Sequence, residues 1–154
     1  MKKIAVFYEG WGERWQLATI AEDGRTLLFE YSAEAQAEGL ELSPRHLKLR
    51  AAAYGDFPSY LLGLPGLISD GLPDGWGMQL MDRLFRMNNI DPVKVSVLDR
   101  LAFIGRHGIG ALTFQPASEM AHDCENVQLL NLAQQVSLLI AGKDSVMLKE
   151  LALL

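Results

Sequence analysis

The chain has 154 residues, 49% hydrophobic and 21% charged, with a formal net charge of −5. That length suits one domain burying roughly two thirds of its unfolded surface, and the acidic balance argues against binding a nucleic-acid backbone as the main task. A lone cysteine, Cys124, excludes an intrachain disulfide, and no apolar run approaches the ~20 residues that span a bilayer, so a cytoplasmic protein with no membrane partner is expected.

Residues 3–8 (KIAVFY) are β-branched and aromatic and read as a strand that Gly10 and Gly12 interrupt. Residues 15–20 follow, and Glu22-Asp23-Gly24 turns the chain into residues 25–31. Asp-Gly between two such runs signals a hairpin, so an antiparallel meander of three strands is expected. Residues 33–38 form a short helix stopped by Gly39. Residues 40–44 read as extended, because the residue before a proline avoids the helical region. The basic stretch 45–50 is either a solvated strand face or a contact for an acidic partner or for DNA presented by another subunit.

Residues 63–77 (GLPGLISDGLPDGWG) specify tight turns between apolar stretches. From Trp76 the period changes: Leu80, Met81, Leu84, Phe85 and Met87 read as one buried stripe of a helix, with Gln79, Asp82, Arg83 and Arg86 between them. Asp74 is the candidate N-cap, Asp82 and Arg86 an i,i+4 pair, and Asn88-Asn89 the stop. A second helix begins at Ser96, with Asp99 three residues on, and ends at Gly105. Residues 106–108 then turn into a strand over 109–114, closed by Pro116. Val127, Leu130, Ala133, Val136 and Ile140 recur at helical spacing, Gly142 breaks the run and Ser145 restarts it. The expected fold is α+β: a small antiparallel sheet or partial barrel at the N-terminus packed against several helices. One domain is expected over 1–154, mainly β over 1–60, two helices and a strand over 61–116, and a helical end over 117–154.

The chemistry-bearing residues do not converge. Asp70, Asp74 and Asp82 are oxygen donors, but as turn, cap and ion-pair residues they need no metal. Residues 105–110 (GRHGIG) are glycine-rich in the order helix, glycines, strand, the reverse of a phosphate-cradling loop. The three histidines show no metal-ligand spacing, and Cys124 between Asp123 and Glu125 has a disfavoured thiolate. Trp76, between Gly75 and Gly77, is either a core aromatic at a helix start or an exposed anchor for another protein.

Residues 72–77 (LPDGWG), 81–84 (MDRL), 98–101 (LDRL) and 105–112 (GRHGIGAL), ahead of Phe114 and Pro116, resemble the N-terminal region of HipA-family proteins, the toxin kinases of bacterial toxin–antitoxin pairs linked to persistence. The resemblance implies a relative that is a Ser/Thr protein kinase acting on an aminoacyl-tRNA synthetase. That relative is restrained by a helix-turn-helix antitoxin and meets DNA only through it. The glycine-rich ATP loop and the catalytic and metal-binding aspartates of that kinase core are expected beyond Leu154. This chain is therefore expected to be no enzyme by itself and to hold no cofactor, with ATP and Mg confined to the kinase core. The implied function is a non-catalytic N-terminal domain that docks on the kinase core and contacts antitoxin or a second toxin copy. The alternative is a free-standing antitoxin-like subunit that inhibits a separate kinase in trans. Such small subunits use a Trp-bearing segment against the kinase, and Trp76 is the matching position. Leu72, Pro73, Asp74, Gly75 and Trp76, with Arg106 from the second glycine cluster, are the candidate protein-binding residues.

Overall fold

A computed structural model describes residues 2–24, 26–108 and 110–116. The helical end expected over 117–154 lies outside the described residues. The meander is present as β1 (Lys3–Gly10), β2 (Glu13–Asp23) and β3 (Thr26–Tyr31), each antiparallel to the next. Two further strands complete an open five-stranded sheet in the order β4-β3-β2-β1-β5. β4 (Ala53–Tyr54) pairs with Phe29 and Glu30, and β5 (Leu112–Gln115) returns from late in the chain to lie antiparallel to β1.

Alternation explains how β1 sits: Ile4, Val6 and Tyr8 are buried while their neighbours are partly open. In β2 the register shifts opposite Val6 and Phe7, where Leu17 is the extra residue, so Leu17 and Ala18 are both buried. The displaced Leu17 carbonyl accepts from the Ser32 amide at 3.0 Å, which fixes the chain's exit from β3. The β1–β2 loop is two residues long, Trp11 and Gly12, both at positive φ (50° and 83°), the requirement of a type I′ turn. Gly suits that backbone; a bulky aromatic rarely adopts it, and Trp11 is 92% exposed there.

The short helix α1 (Ala33–Glu38) forms as expected, with the Ser32 hydroxyl accepting from the Ala35 amide and Gly39 left-handed at its end. Residues 40–50 depart from expectation. They form no strand, and the basic stretch is a succession of bends and turns. The cause is Leu47, which is buried and whose carbonyl accepts the Tyr31 hydroxyl at 2.8 Å, pulling the stretch onto the sheet. Burial pushes that phenol's pKa up to about 12.

Beyond a one-turn helix α2 (Gly66–Ser69), the two longer helices among the described residues are α3 (Gly75–Met87) and α4 (Val97–Ile104). α4 lies against β1 and β5 and buries Leu98, Leu101 and Ile104. Its start is the expected capping box: the Ser96 hydroxyl accepts from the Asp99 amide, and Asp99 accepts from the Ser96 amide at 3.0 Å. Lys2 adds a 2.7 Å ion pair to Asp99. Burial acts to raise the Asp99 pKa, but hydrogen bonds from Lys2 and Ser96 outweigh it and hold the carboxyl below its usual value. The last strand starts at Leu112, three residues later than expected, because Gly110 at φ 121° is not extended backbone.

Candidate functional site

The turn that carries Trp76 is built from its own neighbours. Leu72 and Pro73 are half-buried, and the Leu72 amide donates to the Ser69 carbonyl at 3.0 Å, closing the preceding turn. Asp74 is the N-cap of α3, its carboxylate accepting from the Gly77 amide at 2.9 Å. Gly77 is required sterically, since a Cβ there would stand 2.5 Å from the Pro73 Cβ. Gly75 has no such demand: nothing lies within 4 Å of the Cβ it lacks. Between them Trp76 projects outward, 70% exposed, so its ring lies outside the core.

The rest of α3 corrects the single-stripe expectation. Met81 and Phe85 are buried and Leu84 half-buried, but Leu80 is 39% and Met87 65% exposed. At about 100° of rotation per residue, Leu80 and Met87 fall beside Trp76, on the side opposite Met81 and Phe85. The five apolar positions therefore divide between two faces. The expected Asp82–Arg86 pair is also replaced. Asp82 pairs with Arg100 of α4 at 2.7 Å, and Arg86 makes no ion pair among the described residues. Arg100 is the better partner because it comes from the inner side, where Phe85 and Phe103 stack with centroids 5.1 Å apart.

Arg106 belongs to a different cluster. It follows the end of α4 and reaches Glu9 of β1 at 3.7 Å. Glu9 also accepts from Arg14 at 2.7 Å and from the Thr113 hydroxyl at 3.0 Å. The Arg14 hydrogen bond is the main influence on Glu9. Together with Thr113 and the nearby Arg106 and Arg14 charges it overcomes the opposing effect of burial, leaving a lowered pKa. Arg106 thus helps seat the β5 connection on β1, while Leu72 to Trp76 form the entry to α3.

Among the described residues no three His, Cys, Asp or Glu side chains gather as a metal site, and no helix is long and apolar enough to cross a membrane. A groove of about 290 Å³ lies between the β2–β3 turn and the start of α4, lined by Glu22, Leu27, Leu62, Val95, Val97 and Leu98, and includes none of the predicted site residues.

Sequence reasoning missed Leu80 and Met87 as surface residues and Arg100 as the fastener between helices. For the first the signal was present: positions 76, 80 and 87 share one side of a helix. Arg100's role depends on how α3 and α4 pack, which no local pattern encodes.

Comparisons with known proteins agree with this architecture in one respect. No curated protein and no solved structure matches the chain. The family model described as HipA N-terminal domain matches residues 9–115, from the end of β1 through β5. That span holds β2 to β5, the Trp76 turn and helices α3 and α4, and the chain belongs to the HipA N-terminal domain family.

Proposed function

We propose that this chain is the non-catalytic N-terminal domain of a HipA-like Ser/Thr kinase toxin of a toxin–antitoxin module, and that it docks on the kinase core through the Trp76 turn. The observation that carries the reading is Trp76 itself, 70% exposed on a turn closed by the Asp74 cap and the close approach of Pro73 to Gly77. A pre-ordered tryptophan offers large apolar area at small entropic cost, the usual make-up of an interface anchor. In this reading the chain takes no cofactor, ATP and Mg belong to the kinase core, and DNA is met only through a helix-turn-helix antitoxin. Leu72, Pro73, Asp74 and Gly75 present the anchor. Arg106 orders the neighbouring connection.

Calorimetric titration of the chain into the kinase core of a HipA relative tests this. Saturable binding that Trp76→Ala weakens at least about tenfold is the expected result. Absence of binding with both parts folded overturns the docking. ATP hydrolysis by the isolated chain overturns its non-catalytic character.

A further inference from the structure

The outward side of α3 carries more than a tryptophan. Trp76, Leu80 and Met87 fall within about 40° of one another around the helix, forming a seam opposite the buried Met81 and Phe85. Arg83 and Arg86 stand exposed along one edge of that seam, and neither forms an ion pair among the described residues. The other edge, at Gly77 and Leu84, is uncharged. Of the acids on or next to the helix, Asp82 is held by Arg100 on the inner side, Asp74 caps the far, N-terminal end, and Asp91, just past the C-terminal end, accepts from the Val93 amide at 3.1 Å. The result is an apolar seam about three turns long with two cations on one edge that form no ion pair among the described residues, carried by a chain of net charge −5.

We propose that this strip receives a protein segment with an apolar ridge bordered on one side by carboxylates. The inference rests on the docking reading above and adds the chemistry of what is docked. Complementarity carries it: carboxylates opposite Arg83 and Arg86 fix the register of the apolar ridge over Trp76, Leu80 and Met87 and exclude ridges edged with lysine or arginine. A nucleic-acid backbone would leave the seam uncovered and meet only two cations on an acidic chain. A location in the last turns of α3 also suits cations electrostatically, so unfolding of each variant is measured in parallel to separate that effect from binding.

The test uses the full chain with the kinase core of a HipA relative, titrated at low and at high salt. Arg83→Glu with Arg86→Glu is expected to weaken binding about tenfold or more, and Arg83→Lys with Arg86→Lys to stay near wild type. Salt is expected to weaken the wild type more than the charge-reversed variant. If charge reversal leaves affinity unchanged while Trp76→Ala abolishes it, the docking stands and this inference is overturned. If the wild-type chain does not bind the kinase core, the docking reading falls and the strip is judged by two synthetic amphipathic helices. These share one leucine ridge, edged with glutamate in one and lysine in the other. Tighter binding of the glutamate-edged helix by about tenfold, inverted by charge reversal of the arginines, supports the inference. Equal binding, or none, overturns it. Binding of a single-stranded oligonucleotide in preference to the glutamate-edged helix overturns it, as does self-association that depends on Trp76 and ignores the arginines.

Discussion

Arg100 of α4 holds Asp82 of α3 at 2.7 Å while its guanidinium lies 3.7 Å from the sulfurs of both Met78 and Met81. It also sits 5.8 Å from the centroid of the Phe85 ring. One side chain from a helix on the sheet thus touches three successive turns of the helix that bears Trp76. The contact is an ion pair to the enclosed Oδ1 of Asp82.

Arg100→Ala removes the charge paired with that oxygen. The expected loss of stability is about 2 kcal/mol, less than the 3–5 kcal/mol of a fully buried pair because Asp82 keeps some contact with water. Urea unfolding measures it, and Asp82→Asn in the same background reports how much of the loss is shared. No change in midpoint would mean that α3 is held by apolar packing alone.

Trp76→Ala and Phe85→Ala separate presentation from packing. With most of its ring in solvent, Trp76 is expected to contribute under about 1 kcal/mol to stability, whereas the buried Phe85 contributes about 3–5 kcal/mol. Thermal or urea unfolding of the two variants checks the contrast. Equal losses would place Trp76 in the core.

The two glycines around Trp76 differ in the same way. Gly77→Ala drives a methyl against the Pro73 ring and is expected to shift the turn and lower stability by about 1–3 kcal/mol. Gly75→Ala meets open space in the first turn of α3 and is expected to be neutral or stabilising by up to about 1 kcal/mol. Circular dichroism melts rank them, and the reverse order would contradict the steric account.

At the β1–β2 hairpin, Trp11→Asn replaces a residue strained at φ 50° with one that suits a type I′ turn before Gly12. Stability is expected to rise by about 1 kcal/mol, since the exposed ring contributes little packing in the folded chain. A loss in the urea midpoint would reveal contacts that exposure hides.

Acid is expected to weaken the fold through Glu9 and Asp99. Both carboxyls have lowered pKa values, so their contribution is complete above the ordinary carboxylate range, near about pH 4, and fades as pH falls through the lower folded values. Unfolding at pH 7 and pH 3 measures the drop. Asp99→Asn should shrink that difference, and an unchanged difference would remove Asp99 from the account.

Much of this architecture was legible because the deciding interactions are local. The hairpins follow from glycine at fixed turn positions, α1 from its alanine- and glutamate-rich run and Gly39, and α4 from Ser96 with Asp99 and from Gly105. What could not be read depends on contacts across the fold. Residues 45–50 bend because Leu47 is drawn to Tyr31, and β5 pairs with β1 although more than a hundred residues separate them. Asp82 turns from the neighbouring Arg86 to Arg100 for the same reason. At the candidate site, the turn chemistry of Asp74 and Gly77 was visible, while Arg106, grouped with that turn as a binding candidate, pairs with Glu9 in the structure.

The phenol that accepts burial beneath residues 40–50 gives the protein an internal spectroscopic clock. Tyr31 ionises only near pH 12, above the ordinary tyrosine value, so its neutral form stabilises the fold fully below about pH 10 and that contribution disappears as alkali carries the pH through the folded value. Phenolate absorbance from Tyr31 should therefore appear only as the pH approaches that value. A late rise, in step with loss of the irregular stretch from the sheet, would mark when this molecule opens.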